Sequence, residues 1–310
     1  MDLNKDYTSK TITLRPDYEG AVTAVLTSSN FNLGNRKSVL YIHGYIDYFF
    51  HPHVGEKFND NYFDFYALDL RKYGRSLLEH QHPNYCKNLE EYFEEISIAI
   101  LEIQKKSNSV FLLGHSTGGL ILSSYMNTGK ERNRIDGLIL NSPFFDFNQS
   151  KIEKALSYII AKILSKISVY SKISGVLSSV YVHSIHKNFH GEWGFNLDWK
   201  PVKGFPTYFK WVVAIAKAQE KLKESNITVP VLIMHSSSSG KFSTFSKAAM
   251  SKDTVLNIED IKRVGVKIGK NVTFLRIDNA QHDVFLSRKE VRKVAFDSMF
   301  SWLSKTDFKK

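Results

Sequence analysis

The sequence is poor in cysteine and in long apolar runs. Cys86 is the single cysteine among 310 residues, which excludes an intrachain disulfide and is typical of a reducing compartment. The N-terminal residues lack the basic-then-apolar order of a signal peptide, and the apolar stretches are too short and interrupted to span a bilayer. There is no internal repeat and no run of like charge resembling a nucleic-acid-binding tail. We therefore predict a cytoplasmic protein without a nucleic-acid partner.

The charge and hydrophobic content narrow the class of protein further. Hydrophobic residues make up 43% of the chain, enough for a large core, which excludes a disordered or fibrous protein. The formal net charge is +11 and the pI about 9.4. Because the lysines are spread along the chain, this charge fits an anionic membrane surface, an acidic substrate or simply a lysine-rich surface. Cys86 lies in a polar stretch without a turn signature and is interpreted as a structurally idle thiol.

Short apolar runs alternate with helix-length segments along most of the chain. Two strands at 10–14 and 21–27 are predicted to flank a turn, and six further runs follow, at 38–42, 63–68, 110–113, 138–140, 231–234 and 272–277. This alternation predicts βαβ units and a mostly parallel central sheet with helices on both faces. Residues 144–205 interrupt the rhythm with a helical pattern. We predict a single domain over residues 1–310 with an inserted helical cap at about 144–205.

The most specific motif follows the run at 110–113. Residues 114–118 read Gly-His-Ser-Thr-Gly and precede a helical pattern. The G-x-S-x-G pattern between a strand and a helix is typical of a sharp turn that exposes a nucleophilic serine. The flanking glycines leave room for the strained backbone beside that serine. Ser116 is therefore the candidate nucleophile.

A serine hydroxyl needs a general base and a carboxylate that orients the base. In folds with this turn the chain order is serine, acid, histidine. His282 follows the last apolar run in a polar loop and is the predicted base. His235, at the end of the run at 231–234, is its rival.

The acid is expected after the strand that ends near Met234. The loop there begins with a serine run at 236–239 and contains no carboxylate near its start. The first acid is Asp253, which we predict to orient the base. Glu259 and Asp260 follow at a position typical of the first turn of a helix.

Two backbone amides are predicted to stabilise a developing oxyanion. The N–H of Thr117 lies at a helix start, where free amides and the helix dipole favour negative charge. The turn after the run at 38–42 contains His43 and Gly44, with His43 as a buttress, and places the N–H of Tyr45 as the second donor. Four aromatic residues are predicted to bind substrate, namely Tyr48, Phe49 and Phe50 beyond this turn and Trp193 in the cap.

These motifs together resemble the monoglyceride lipase and lysophospholipase branch of the α/β-hydrolases. The matching segments, spread from about residue 39 to 302, are His-Gly at 43–44, Asp-Leu-Arg-Lys-Tyr-Gly-Arg-Ser at 69–76, Gly-His-Ser-Thr-Gly-Gly at 114–119, Asn-Ser-Pro at 141–143 and Gln-His-Asp at 281–283. Further segments look like an uncharacterised bacterial α/β-hydrolase subgroup. The resemblance implies an α/β-hydrolase fold with Ser116, Asp253 and His282 as nucleophile, acid and base.

The resemblance implies a hydrolase of carboxylic esters, with acyl esters of the monoglyceride or lysophospholipid type as substrates. No metal or organic cofactor is implied. The cap stretch 152–167 carries lysines among its apolar residues, so it either contacts an anionic membrane surface or packs its apolar face over the pocket. Two alternatives stay open: a peptidase or amidase with the same triad, which needs an acidic cluster for the substrate ammonium, and a non-catalytic binding module.

Overall fold

The computed structural model describes residues 3, 5–34, 37–175 and 178–308. The strands are β1 (Tyr7–Thr13), β2 (Thr23–Ser29), β3 (Lys37–Ile42), β4 (Asp64–Asp69), β5 (Ser109–His115), β6 (Ile135–Asn141), β7 (Lys172–Ile173), β8 (Thr207–Tyr208), β9 (Val231–Ser236) and β10 (Val272–Ile277). The α-helices are α1 (Pro52–Asp60), α2 (Phe93–Gln104), α3 (Thr117–Thr128), α4 (Lys151–Ile167), α5 (Val180–Ile185), α6 (Phe209–Lys221), α7 (Ile258–Gly265) and α8 (Lys289–Lys305).

Eight of the strands form one sheet in the order β1-β2-β4-β3-β5-β6-β9-β10. The pairs β1–β2 and β2–β4 are antiparallel. The other five neighbouring pairs are parallel. The predicted mostly parallel sheet is confirmed. Because β3, β5, β6, β9 and β10 run in one direction, the loops that follow them meet at one edge of the sheet.

The apolar side chains of the inner strands divide between the two faces of the sheet. In β3, Leu40 and Ile42 belong to one buried cluster, whereas Val39 and Tyr41 belong to another. This is the alternation expected of a strand. The first cluster is completed by α2, α3 and α6, and the second by α1 and α8. Helices therefore cover both faces, which is why these strands read as continuous apolar runs in the sequence.

The described residues between β6 and α6 add no strand to the central sheet, since β7 pairs with β8 in a separate two-stranded sheet. Helix α4 of this segment begins with a capping box in which the Ser150 hydroxyl accepts the backbone N–H of Glu153. α4 packs on α6, and α5 joins a small apolar cluster with Tyr48 and Phe50. Across the described ranges, no helix combines the length and the apolar content needed to cross a membrane.

Candidate active site

Ser116 lies on the tight connection between β5 and α3. Its backbone adopts φ 52° and ψ −116°. Residues other than glycine rarely adopt a positive φ of this size. Strain of this kind persists only where the surroundings hold it in place. The turn directs the serine toward the edge of the sheet where the loops converge, and the residue is 8% exposed.

Two glycines allow the chain to make this turn. A Cβ atom at Gly114 would lie 2.8 Å from the backbone of Gly118. A Cβ atom at Gly118 would lie 2.4 Å from the carbonyl oxygens of Ile42 and His43, closer than any side-chain carbon tolerates. The first turn of α3 therefore packs directly on the end of β3. This contact brings the serine next to the loop that follows β3.

The structure brings together the three predicted residues. His282 Nε2 lies 3.0 Å from Ser116 Oγ, and His282 Nδ1 lies 2.9 Å from Asp253 Oδ2. All three residues are buried. In this arrangement the imidazole can accept the serine proton while its other nitrogen donates to the carboxylate, as a serine nucleophile requires.

Asp253 reaches the histidine because the serine-rich loop after β9 returns to the strand end. The backbone N–H of Asp253 donates to the Ser238 carbonyl, and the N–H of Gly240 donates to the Asp253 carbonyl, both at 2.9 Å. Asp253 Oδ1 accepts the N–H groups of Val255 and Leu256 at 2.9 and 2.8 Å. These bonds fix the carboxylate so that Oδ2 faces the imidazole.

The rival groups of the sequence analysis lie elsewhere. His235 stays within β9, with Nδ1 2.6 Å from the Ser236 carbonyl oxygen. Glu259 and Asp260 occupy the first turn of α7 and form ion pairs with Lys262 and Arg263. Cys86 is buried, and burial raises the pKa of its thiol to about 12, which disfavours the nucleophilic thiolate.

The loop after β3 passes directly beside the serine. A Cβ atom at Gly44 would lie 3.2 Å from Ser116 Cβ, so the backbone leading into Tyr45 runs along the nucleophile. His43 Nε2 accepts the N–H of Leu70 at 3.0 Å, and its Nδ1 lies 2.8 Å from the Gly44 carbonyl oxygen. Burial lowers the pKa of His43. A neutral imidazole with a hydrogen bond at each ring nitrogen fits the predicted role of His43 as a support of this loop.

The amides of Tyr45 and Thr117 flank Ser116. Thr117 is the first residue of α3, where backbone N–H groups have no partner within the helix. The Tyr45 side chain is held away from the serine, because its ring stacks on Trp211 with centroids 4.0 Å apart and its hydroxyl bonds Thr207. Tyr45 directly follows Gly44, which lies against Ser116, and Thr117 directly follows the serine, so the two N–H groups stay the predicted oxyanion donors.

The predicted aromatic wall is corrected in part. Phe49 is fully buried and packs with Tyr41 and Phe65 beneath the loop, so it is a core residue. The Trp193 Nε1–H donates to the Leu286 carbonyl at 2.8 Å, and its ring stacks on His53.

Residues 144–205 are called the insert below. Trp193 therefore joins the insert to the turn after His282 and does not line an open pocket. Tyr48 and Phe50 pack against the insert, where Tyr48 contacts Trp199 and Phe50 contacts Phe195.

Sequence reasoning missed three residues around the site, the buried Asp47 and Lys200 and the partly buried Tyr181. The Tyr181 ring of α5 meets the His282 ring edge to face, with centroids 5.5 Å apart. Lys200 Nζ lies 2.6 Å from Asp47 Oδ1, and both side chains are buried. Asp47 and Lys200 are 153 residues apart in the chain, and no local pattern marks either of them.

The turn that carries the base is fixed by its own carboxylate. Asp283 Oδ1 accepts Asn141 Nδ2–H at 2.7 Å and the N–H of Phe285 at 2.9 Å. Asn141 Oδ1 in turn accepts the N–H of Val284. The ends of β6 and β10 are thereby joined next to His282, which explains why the sequence segments containing these residues appear together in the resemblance.

Comparisons with known proteins agree with this architecture. The family model described as "Serine aminopeptidase, S33" matches residues 34–286. "Phospholipase YtpA" of Bacillus subtilis (strain 168) is 36% identical over 95 residues, which is 30% of this chain and 35% of that protein. The match thus spans about a third of the length of this curated relative.

Solved structures show the same fold at low sequence identity. A soluble variant of monoglyceride lipase from Saccharomyces cerevisiae, in complex with a substrate analog, superposes with TM-score 0.68 and 19% identity over 96% of both chains. The Paleococcus ferrophilus monoacylglycerol lipase gives TM-score 0.62 and 19% identity over 96% of this chain and 98% of the other. The predicted fold is confirmed by these likenesses.

The contact between Gly118 and the end of β3 generates a stability prediction. Gly118→Ala places a methyl group against two carbonyl oxygens, so we expect a loss of about 1–3 kcal/mol in the free energy of unfolding, as for other overpacked sites. Urea denaturation measures it. Gly194→Ala is the matched control, because its Cβ would meet only the flexible Lys187 side chain, at 3.2 Å. Equal stability of the two variants would contradict the described contact.

Proposed function

The chain belongs to the serine aminopeptidase S33 family of α/β-hydrolases, and on that premise we propose that it hydrolyses carboxylic esters through an acyl-enzyme on Ser116. The observation that carries the proposal is the continuous hydrogen-bonded chain from Ser116 Oγ through His282 to Asp253. A serine, a base and an orienting carboxylate in this geometry are the requirements of nucleophilic acyl transfer.

In the proposed cycle, His282 accepts the Ser116 proton as the hydroxyl oxygen attacks the ester carbonyl. The N–H groups of Tyr45 and Thr117 stabilise the oxyanion, an effect of about 3 kcal/mol per donor in comparable sites. The imidazolium then protonates the departing alcohol. Water, activated by the same imidazole, releases the acid and restores the serine. Asp253 holds the tautomer and stabilises the charged ring throughout.

We propose acyl esters of the monoglyceride or lysophospholipid type as substrates. The surroundings of the serine support this class, because α5 and the loop after β3 contribute an apolar cluster with aromatic rings beside the site. The partial match to a protein named a phospholipase and the fold shared with monoglyceride lipases are consistent with it. We further propose that residues 144–205 act as a cap over this site and that the enzyme is cytoplasmic.

A peptidase or amidase is the second candidate, because the family is described by aminopeptidase activity. Capture of a substrate ammonium needs a free carboxylate near the serine. Among the buried carboxylates of the site, Asp47 pairs with Lys200 and Asp253 with His282. Asp283 binds Asn141 through Oδ1, and its Oδ2 is fully buried without a hydrogen-bond partner among the described residues. This engagement and burial favour esters over substrates with a free N-terminus.

The first test combines active-site labelling with substrate comparison. We expect a fluorophosphonate probe to label the wild-type protein and not Ser116→Ala, because the phosphonate takes the place of the acyl group on Oγ. We also expect p-nitrophenyl acyl esters to be hydrolysed much faster than aminoacyl p-nitroanilides. Gel fluorescence and release of the chromophore measure the two effects.

The two alternatives give different results in the same assays. Faster cleavage of aminoacyl anilides than of esters would identify a peptidase. A folded wild-type protein that remains unlabelled and inactive would identify a binding module. Circular dichroism of both proteins is the control for folding.

The second prediction concerns Asp253. In Asp253→Asn, the amide oxygen keeps the two backbone bonds made by Oδ1, so the NH₂ group faces His282 Nδ1 and stabilises the tautomer with a proton on Nε2. That tautomer cannot accept the serine proton, and we expect kcat to fall by about 10⁴-fold. Glu259→Gln and Asp260→Asn are the controls, with kcat within about twofold of wild type. A comparable loss of kcat in a control variant would indicate that Glu259 or Asp260 of α7, and not Asp253, orients the base.

The exposed face of α4 supports peripheral contact with an anionic membrane surface. Ile152 and Ile167 are 74% and 76% exposed, and the face between them carries further exposed apolar residues, Leu156, Ile159, Ile160 and Ile163. Exposed lysines flank this face at 151, 162 and 166. An apolar face bordered by lysines is the pattern of a helix that lies in a lipid interface.

Vesicle flotation tests this contact. We expect the wild-type protein to bind phosphatidylglycerol vesicles more than phosphatidylcholine vesicles, and Ile159→Asp/Ile163→Asp to lose most of that binding because two charges enter the apolar face. Val294→Asp, at a comparably exposed apolar residue of α8, is the matched control and keeps binding. Unchanged flotation of the α4 variant would refute the contact.

A further inference from the structure

A buried ammonium group lies beside the loop that carries the proposed oxyanion donor. We define the oxyanion loop as residues 43–50. Lys200 Nζ lies 2.6 Å from Asp47 Oδ1, and the two side chains are 5% and 4% exposed. Asp47 is two residues from Tyr45. We propose that Lys200 is a positioning residue that holds Asp47 and thereby fixes the Tyr45 N–H toward the acyl oxygen. This proposal rests on the proposed esterase function.

The body of the protein holds the far half of the oxyanion loop. The N–H of Phe49 donates to Asp69 Oδ1 at 3.0 Å. Arg75 donates to the Phe49 carbonyl at 3.0 Å and to Asp69 Oδ2 at 2.8 Å. Through these bonds the segment 69–76 supports the oxyanion loop. They act on Phe49, four residues beyond Tyr45, and leave the first half of the loop to other contacts.

The insert holds the middle of the oxyanion loop. The N–H of Asn196 donates to the Tyr48 hydroxyl oxygen at 2.7 Å, and Lys200 binds Asp47 four residues later. The segment between them is itself fixed, because the N–H of Lys200 donates to the Asn196 carbonyl at 3.0 Å and the N–H of Asp198 donates to Asn196 Oδ1. One short turn, residues 196–200, therefore contacts the oxyanion loop at two adjacent residues, Asp47 and Tyr48.

The ammonium group lies where water has little access. The rings of Phe50, Tyr181 and Phe195 surround Lys200 Nζ, with centroids 5.4, 5.7 and 5.7 Å away. Burial alone would raise the pKa of Asp47, but Lys200, which is both the nearest positive charge and a hydrogen-bond donor to the carboxylate, is the main opposing influence, and the pKa of Asp47 is lowered to about 2. The carboxylate is therefore charged at neutral pH, and its pairing depends on Lys200.

Removal of the ammonium leaves a buried carboxylate without its partner. Such a group is far less stable than the intact pair, so Asp47 has to turn toward water or bind a proton. Either change removes the ion pair that ties Asp47 to Lys200, so the backbone at 45–47 is no longer held by it. A displacement of the Tyr45 N–H weakens transition-state stabilisation more than ground-state binding, because the oxyanion develops only in the transition state.

The test compares Lys200→Met with Lys200→Arg in the full-length protein. Met keeps the apolar stem without the charge, so we expect kcat on a p-nitrophenyl ester to fall by about 10- to 100-fold, with KM changed by less than about threefold. This loss is smaller than the roughly 10²- to 10³-fold cost of removing one oxyanion donor, because the N–H is displaced and not removed. We expect the arginine variant to recover most of kcat. Lys203→Met, an exposed lysine of the same segment, is the control and retains wild-type kcat.

Hydrogen–deuterium exchange of the peptide that covers the oxyanion loop is the second readout. We expect faster exchange at residues 43–50 in Lys200→Met, with wild-type exchange in Lys203→Met. An unchanged kcat, a rise in KM alone, or unchanged loop exchange would overturn the positioning role. If Lys200→Met does not fold, Asp47→Asn is subjected to the same measurements with the same expectations.

These outcomes separate the two proposals. An unlabelled and inactive wild-type protein defeats the esterase function, and the exchange measurement then still decides whether Lys200 holds the loop. An active, labelled wild-type protein with unchanged loop exchange in Lys200→Met defeats only the positioning role.

Discussion

The close backbone contact between Gly118 and the end of β3 is the constraint on which the rest of the site depends. With no Cβ at Gly118, the start of α3 lies against the carbonyl oxygens of Ile42 and His43. This contact sets Ser116 beside the backbone of Gly44. The positive φ of Ser116 follows from the same turn. The proposed nucleophile and the residues of the two proposed oxyanion donors thus lie at one junction of β3, β5 and α3, whose close backbone contacts restrict their positions, as preorganised electrostatic catalysis requires.

Features encoded by local sequence were predictable. The parallel strands appear as apolar runs because both faces of the sheet are covered, and the turn at Ser116 appears as glycines at fixed spacing because close backbone contacts exclude side chains. The position of His282 follows from chain order together with the apolar run that precedes it and the polar loop that contains it. Asp253 is predicted from chain order and resemblance. The backbone hydrogen bonds of Asp253 with Ser238 and Gly240, which return the serine-rich loop to the end of β9, correspond to no periodic or compositional pattern in the sequence.

Features that depend on distant pairs were not predictable. The partner of Asp47 lies 153 residues away in the insert, and a lysine among aromatic residues reads as an ordinary exposed residue in the sequence. Phe49 stands in a run of aromatic residues at 48–50, yet successive residues of an extended chain point to opposite sides. Its ring therefore enters the core, whereas the neighbouring rings of Tyr48 and Phe50 face the insert. Sequence alone does not reveal which side is the core.

The insert contributes to the site through both packing and charge. Tyr181 contacts the ring of His282, Trp193 bonds the Leu286 carbonyl beyond it, and Asn196 and Lys200 contact the oxyanion loop. The predicted base and the oxyanion loop, which both lie beside Ser116, therefore both have supports from one segment. The four contacts reach two strand-end loops, the turn after β10 and the loop after β3, so one segment of the chain supports both of them. If the insert acts as the proposed cap, the contacts that would select substrate and the contacts that support the geometry at Ser116 come from the same segment of the chain.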